Sequence, residues 1–311
     1  MREHPADQPD YLEYRATIML CLAAVVLSVR RFQGTDLDSL MLSYDTWPQE
    51  PWRLFTSCLL HGGWIHLLFN VIWIFRLGAI LEPVLGLVPT IGVYLLLGMT
   101  SSGAQWALSG GGVGLSGIVY GIFGILWVLD RYHPNFRGVV SQETTVLFVV
   151  WFFLCIVATE IGAMNIANTA HGVGGVVGVL IGLTLTPLGM KRAMAWGLLG
   201  ILTVVIALGA TIGRPYVNSS ENRVFELQSA ALTAFEDNDP QLAAELLEEA
   251  IDLDPESAHS WHNLGVAYHR LGRLREADSA LDRSEELESL STSEADPADE
   301  DNPLRSPFLD F

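Results

Sequence analysis

Seven apolar stretches occupy most of this 311-residue chain before Pro215. They run over residues 15–31, 64–81, 87–108, 115–131, 144–161, 167–187 and 193–212. An α-helix of about 20 apolar residues is long enough to cross a bilayer, and it bonds its own backbone polar groups. The pattern predicts an all-α fold, a polytopic membrane bundle with a six-helix core over 15–187 and a seventh membrane helix over 193–212.

The placement of lysine and arginine predicts how this bundle is oriented. With segment 1–14 inside, the inner side holds Arg2, Arg15, Arg76, Arg131, Arg137, Lys191 and Arg192, and the outer side holds Arg30, Arg31, Arg53 and Arg214. Cytoplasmic loops carry the excess of these residues. We expect a multi-pass protein of the cell membrane with a cytoplasmic N-terminus. The C-terminal region is then extracytoplasmic if the seventh stretch spans, and cytoplasmic if it does not.

The negative charge of the chain is concentrated after the last apolar stretch. Of 35 acidic residues, 23 lie beyond position 220, together with only 6 of the 17 lysines and arginines. Such an acidic surface argues against nucleic acid as a partner. The last residues, 291–311, combine acidic residues with serine and proline, which predicts a disordered tail.

Two segments of the acidic region align at a spacing of 34 residues, the period of the tetratricopeptide repeat. The matching positions are Ala243, Leu247, Ala250 and Pro255 in the first copy, and Trp261, Leu264, Gly265, Tyr268, Ala277 and Leu281 in the second. We therefore expect a small TPR-like helical domain over 221–290. Its groove is expected to bind a peptide or a protein partner.

A serine and a histidine that could form a nucleophilic pair lie on separate apolar stretches. Ser116 needs a base to take its proton, and His171 is an available base. Glycines accompany both residues, Gly114 and Gly117 around the serine, Gly174 and Gly178 after the histidine. Small residues at such spacing let two membrane helices approach closely. Each residue alone is commonly a packing or hydrogen-bonding residue, but together they predict a hydrolytic site.

Further polar residues near these stretches fit the same chemistry. His66 and Asn70 share a helix face and can donate hydrogen bonds to an oxyanion, with the backbone N–H of Ser116 as a third donor. A polar contact between helices is the alternative for this pair. Tyr120 lies one turn after Ser116, where it can orient the imidazole of His171 or serve as a core tyrosine.

Taken together, these motifs resemble the rhomboid intramembrane serine proteases over residues 50–187. The resemblance rests on Gly114-Leu115-Ser116-Gly117 followed by Tyr120, on His171 with Gly174 and Gly178, on His61, His66 and Asn70, on Trp52-Arg53, and on Glu82. It implies a Ser116–His171 dyad without an aspartate, an oxyanion site formed by His66, Asn70 and the Ser116 N–H, and structural roles for His61, Arg53 and Glu82. Asp130 and Glu160 match no catalytic position of that family.

The resemblance also implies what the site acts on. Substrates would be membrane proteins cut in or near a transmembrane segment, and Phe153 is a candidate member of a lateral gate. No cofactor or metal is expected, because Cys21, Cys58 and Cys155 lack the spacing of metal ligands. The main alternative is a catalytically silent rhomboid-like protein that binds membrane clients. A membrane-anchored repeat scaffold fits less well because an anchor needs no such motifs. A transporter fits less well because charged residues within the apolar stretches are sparse.

Overall fold

The protein is described by a computed structural model that covers residues 11–42, 49–219 and 223–293. It divides into two compact units, residues 1–220 and 221–311. Regular structure in the described residues of both units is helical. This confirms the predicted fold class of a membrane helical bundle followed by a small helical repeat region.

Seven long helices of the first unit coincide with the seven apolar stretches. In chain order its α-helices are α1 (Arg15–Phe32), α2 (Arg53–Thr56), α3 (Trp64–Leu85), α4 (Leu87–Leu108), α5 (Ser116–Tyr132), α6 (Gln142–Glu160), α7 (Asn168–Thr184), α8 (Gly189–Ala210) and α9 (Arg214–Val217). Short 3-10 turns cover Tyr11–Tyr14, Asp38–Leu40, Ser57–Leu59 and Pro134–Phe136.

Four of these helices, α3, α4, α6 and α8, are long and apolar enough to cross a membrane by length and composition. The chain is a multi-pass membrane protein. The other three long helices differ for simple reasons. Helix α1 carries three arginines in its 18 residues, while α5 and α7 have 17 residues each. That length is at the lower end of the roughly 17–25 residues a spanning helix needs. Seven membrane crossings therefore stay a prediction.

Helices α5 and α7 pack against each other through glycine. A Cβ atom added to Gly174 or Gly178 would collide with the backbone carbonyl of Gly117 or Gly121 on the opposite helix. One added at Gly124 would lie 2.6 Å from the carbonyl oxygen of Gly175. Because backbone meets backbone here, these two helices come closer than side chains would allow. This close approach sets the distance between residues carried by α5 and α7.

Two charged residues join separate segments of the first unit through hydrogen bonds. Glu82 on α3 is buried and accepts hydrogen bonds from the backbone N–H groups of Ala16 and Thr17, at 2.7 and 2.8 Å. Its carboxylate thereby caps the N-terminus of α1, whose first N–H groups have no partner within the helix. Arg53 pairs with Glu50 and donates to two carbonyl groups in the 38–41 segment. Both residues act as structural links.

The described residues of the second unit, 223–293, form two helix pairs. Its helices are α10 (Arg223–Glu236), α11 (Pro240–Leu253), α12 (Ala258–Arg270) and α13 (Leu274–Ser293). Asp239 and Ser257 cap α11 and α12 by accepting hydrogen bonds from backbone N–H groups two to three residues into the helix. A Cβ atom at Gly265 would lie 2.7 Å from Leu281 Cγ, so this glycine lets α12 and α13 pack closely.

The C-terminal boundary differs from the predicted one. Helix α13 continues to Ser293, past position 291, where the acidic tail was expected to begin. Serine and acidic side chains do not end a helix by themselves. The rest of the predicted tail, 294–311, and the first ten residues of segment 1–14 lie outside the described residues.

Candidate active site

Ser116 is the first residue of α5, at the end of a glycine-rich loop that follows α4. Two residues earlier, Gly114 has φ = +110°, a backbone conformation that residues with a Cβ atom rarely adopt. A Cβ atom there would also lie 2.7 Å from Nε2 of the His66 ring. The glycine therefore permits both the turn into α5 and the approach of His66. The helix N-terminus leaves backbone N–H groups beside the serine, where they favour negative charge.

His171 lies in the first turns of α7 and faces Ser116 across the helix pair. Its Nε2 is 2.7 Å from the Ser116 hydroxyl oxygen. The ring is buried, whereas Ser116 is partly accessible. Nδ1 of His171 has no hydrogen-bond partner among the described residues. Asp130 accepts hydrogen bonds from the N–H groups of Gly138 and Val140, so it serves the loop after α5. The structure thus brings the predicted serine and histidine into hydrogen-bond contact.

Tyr120 stacks on the imidazole of His171. The two ring centroids are 4.9 Å apart with an interplanar angle of 27°. The tyrosine hydroxyl donates to the Phe148 carbonyl of α6 at 3.2 Å, which fixes the ring in turn. A stacked, anchored tyrosine limits rotation of the imidazole, the task that an aspartate performs in serine hydrolases with a Ser-His-Asp triad.

The two side chains predicted for an oxyanion site, His66 and Asn70, lie near the start of α3. Each makes a different contact. The His66 ring packs on Gly114, beside the loop that carries Ser116. The Asn70 side chain is buried and donates to the His66 carbonyl one turn earlier, at 2.9 Å. That bond uses one of the two N–H groups of the amide and leaves the other available.

His61 contacts both this group and α1. Its ring lies 5.0 Å from that of His66, and its Nδ1 is 3.0 Å from the hydroxyl of Ser28. Ser28 also donates to the Leu59 carbonyl. His61 is fully buried, so its contacts tie α1 to the chain segment that leads into α3.

Two residues of α4 belong to the surroundings of the pair, although the sequence analysis did not single them out. Gln105 accepts a hydrogen bond from the N–H of Ala170, next to His171, at 3.2 Å. The hydroxyl of Ser101 lies so close to Gly117 that a Cβ there would collide with it. A glutamine and a serine in an apolar stretch were the available signal, but their partners lie more than 15 residues away in sequence.

Helix α6 forms the loosest side of the site. Only Phe148 and Cys155 of its residues are buried. The Trp151 ring stacks on Phe69 of α3, with centroids 6.3 Å apart. Phe153, the predicted gate residue, is 60% exposed and its ring contacts Phe152 of its own helix. Trp151 rather than Phe153 therefore contacts α3.

Comparison with known proteins identifies this bundle. Residues 48–188 match the family model of the Rhomboid domain. The first unit therefore contains a Rhomboid domain. The matched region of the rhomboid domain contains every predicted site residue, from His61 to Gly178, and it ends before α8. A second match, to the tetratricopeptide repeat over residues 234–288, falls in the second unit and confirms a TPR-like region.

Curated rhomboid relatives cover part of the chain. The rhomboid protease GlpG of Klebsiella pneumoniae subsp. pneumoniae is 30% identical over 186 residues, which are 57% of this chain and 64% of that protein. The rhomboid protease GlpG of Pectobacterium atrosepticum is 34% identical over 131 residues, 42% of this chain and 47% of that protein. The chain thus spans less than two thirds of the length of these relatives.

Proposed function

We propose that this rhomboid protein is an intramembrane serine endopeptidase. The observation that carries the proposal is the 2.7 Å hydrogen bond between Ser116 Oγ and His171 Nε2, formed by residues from two different helices. A hydroxyl held this close to an imidazole nitrogen inside an apolar bundle has the arrangement of an activated nucleophile. The two relatives are both rhomboid proteases, which supports the same activity.

In the proposed reaction, Ser116 Oγ attacks the carbonyl carbon of the scissile peptide while His171 Nε2 takes the hydroxyl proton. The negative oxygen that forms accepts hydrogen bonds from the Ser116 N–H, His66 and Asn70. His171 then gives the proton to the leaving amine, which breaks the peptide bond and leaves an ester on Ser116. A water molecule, deprotonated by His171, hydrolyses that ester and restores the serine.

The substrates that we propose are membrane proteins with a transmembrane segment that unwinds near the site. Helical carbonyl groups are already hydrogen-bonded, so a peptide bond has to leave its helix before it can be attacked. The sparse packing of α6 supports entry between α3 and α6, beside the Phe69–Trp151 stack and the exposed Phe153. In this arrangement the lipid bilayer is the medium from which the substrate arrives.

The direct test is cleavage of a membrane-anchored reporter in proteoliposomes. The wild-type chain is expected to release a fragment, whereas the Ser116→Ala chain, prepared alongside, is not. The alternative, a catalytically silent rhomboid-like protein, predicts that the reporter binds to both chains and is cut by neither. A wild-type chain that binds but never cuts would therefore decide for the alternative.

Removing one of the proposed oxyanion donors is expected to reduce the activity without abolishing it. Asn70→Ala and His66→Ala are each expected to lower kcat by roughly 10²- to 10³-fold while KM changes little, because the lost hydrogen bond forms fully only in the transition state. Steady-state kinetics on the same reporter measures both parameters. Asn263→Ala in the second unit is the amide control. Equal losses in kcat for Asn70→Ala and Asn263→Ala would contradict the role of Asn70.

We also propose the predicted orientation, with a cytoplasmic N-terminus and extracytoplasmic repeats. The basic residues on the two sides of the helices support it. In addition, Ser219 donates through its N–H to the Leu108 carbonyl at 2.7 Å, at the end of α4. Ser219, the last described residue of the first unit, therefore lies at the end of the bundle where α5 begins with Ser116.

The second unit carries a groove that fits a protein partner with a basic segment. The groove has a volume of about 400 Å³, with Trp261 and Tyr268 beside the carboxylates of Glu248, Asp252 and Glu276. Arg273 of the chain itself already lies 4.0 Å from the Tyr268 ring and pairs with Glu276. This contact supports the proposal that an incoming guanidinium group binds here in the same way.

Binding of a fluorescent Lys- and Arg-rich peptide to the full-length chain tests this partner class. Glu248→Gln combined with Asp252→Asn is expected to weaken binding several-fold, and salt is expected to weaken it further. Glu286→Gln, which lies outside the groove and pairs with Arg283, is the matched control. Equal affinities for the two variants would exclude the groove as the peptide site.

A further inference from the structure

A buried cation–π contact joins the chain segment after α8 to the end of α4. The guanidinium carbon of Arg214, in α9, lies 3.6 Å from the ring centroid of Trp106. Arg214 is 4% exposed and Trp106 is 2% exposed. Cation–π contacts are strongest when both partners are removed from water. Burial of a charged group is costly, so a buried arginine depends on stabilising contacts such as this one.

Hydrogen bonds reinforce this contact a few residues further on. Ser219 donates to the Leu108 carbonyl twice, from its backbone N–H at 2.7 Å and from its hydroxyl at 3.0 Å. Leu108 is the last residue of α4, and carbonyl groups in the last turn of a helix lack partners within it. Segment 214–219, which we call the latch, thus caps α4 from outside.

The latch acts where α4 gives way to the loop that carries the nucleophile. This loop, residues 109–115, contains four glycines among its seven residues, Gly110, Gly111, Gly112 and Gly114. Glycine loses more conformational freedom on ordering than any other residue, so such a loop does not fix its own shape. Its position depends on where its two ends are held and on what packs against it.

The loop contacts identify what holds it. Added Cβ atoms would meet Leu42 and Trp106 at Gly111, at 3.6 and 3.9 Å, and Ala167 and Gln105 at Gly112, at 3.0 and 3.5 Å. Trp106 therefore lies next to Gly111 of the loop and also carries Arg214 over its ring. The neighbouring residue on α4, Gln105, bonds to the N–H of Ala170 before His171. Adjacent residues of α4 thus lie between the latch, the loop before Ser116 and the residue before His171.

We infer that Arg214 is a positioning residue, and that the latch holds loop 109–115 in the shape that places Ser116 for reaction. The inference rests on the proposed protease function. Weakening the latch lets the glycine-rich loop shift. The Ser116 hydroxyl and N–H then lie away from the attack geometry for part of the time. A displacement of about 1 Å can cost up to 10²-fold in rate.

The test compares Arg214→Met with Arg131→Met. Arg131 lies 3.8 Å from the Trp127 ring at the far end of α5, so it provides the same kind of contact without reaching the loop. Arg214→Met is expected to lower kcat and the rate of fluorophosphonate labelling by roughly 10- to 100-fold with little change in KM. Arg214→Lys, which keeps the cation, is expected to recover part of the loss. Arg131→Met is expected to match the wild type.

A second variant keeps the test decisive if Arg214→Met fails to fold. Ser219→Pro removes both donors to the Leu108 carbonyl, the N–H and the hydroxyl, without altering a buried side chain, and it is expected to lower kcat in the same direction. If the best-folded of these variants has the kcat of Arg131→Met while Ser116→Ala is inactive, the latch is wrong and the protease assignment stands. If the wild type neither cuts nor labels, the proposed function itself has failed.

Discussion

Ser116→Ala and His171→Ala are each expected to lower cleavage by about 10⁴-fold or more, and the double variant is expected to be no worse than either single one. The two residues act as one unit, because the hydroxyl is a weak nucleophile without the imidazole and the imidazole has nothing to activate without the hydroxyl. Rates of reporter cleavage in proteoliposomes measure this. Labelling with a fluorophosphonate, which requires an activated serine, is expected to disappear in both single variants.

Matched controls separate this loss from damage to the bundle. Ser102→Ala removes a buried serine hydroxyl that pairs with Cys58 on the same side of the bundle. His133→Ala removes a histidine at the opposite end of α5, where its ring contacts Phe136. Both controls are expected to keep at least a large part of the wild-type rate. Labelling that persists in Ser116→Ala would show that another residue is the nucleophile.

Gly178→Ala is expected to be the most damaging single-methyl change in the chain. The added Cβ would collide with the carbonyl of Gly121, which is backbone and cannot rotate away. Helices α5 and α7 would have to separate, and the hydrogen bond between Ser116 and His171 would lengthen. We expect a lower midpoint of thermal unfolding, consistent with an overpacking cost of about 1–3 kcal/mol, and a large loss of cleavage.

Gly175→Ala provides the control on the same helix. A Cβ at Gly175 meets no atom within 4 Å, so an alanine there adds a methyl group without a collision. Thermal unfolding in detergent and cleavage rates are to be measured for both variants. Gly182→Ala, which crowds Val128 and Ile125 further from Ser116, is expected to lower stability with a smaller effect on kcat. If Gly178→Ala behaves like Gly175→Ala, the close approach of α5 and α7 does not control the site.

The sequence predicted the helices well because apolar length is a strong, local signal. The helix ends were less accurate. Helix α8 begins at Gly189, not at 193, and so includes Lys191 and Arg192. Helix α3 continues through Pro83 to Leu85 instead of ending at 81. Apolarity reports which residues prefer the bilayer, whereas a helix continues for as long as its hydrogen bonds do.

In the candidate site, too, the sequence predicted some features and missed others. Local motifs were enough to single out four residues of the site, because each lies beside characteristic glycines or shares a helix face with another. These residues are Ser116, His171, His66 and Asn70. The sequence could not predict the role of Gln105, because its partner Ala170 lies on another helix. The sequence could not predict the latch either, because Arg214 and Trp106, which contact each other there, are 108 positions apart in sequence.

By itself, the sequence determined that this chain forms membrane helices, which two of them carry a serine and a histidine, and that an acidic repeat region follows. Those properties depend on the composition and spacing of neighbouring residues. Only the tertiary structure decided that the serine and the histidine lie 2.7 Å apart, that Tyr120 stacks on the imidazole, and that the segment after α8 caps α4. These contacts depend on how closely two backbones approach, a distance fixed by the packing of Gly174 and Gly178 against the opposite helix rather than by any one segment.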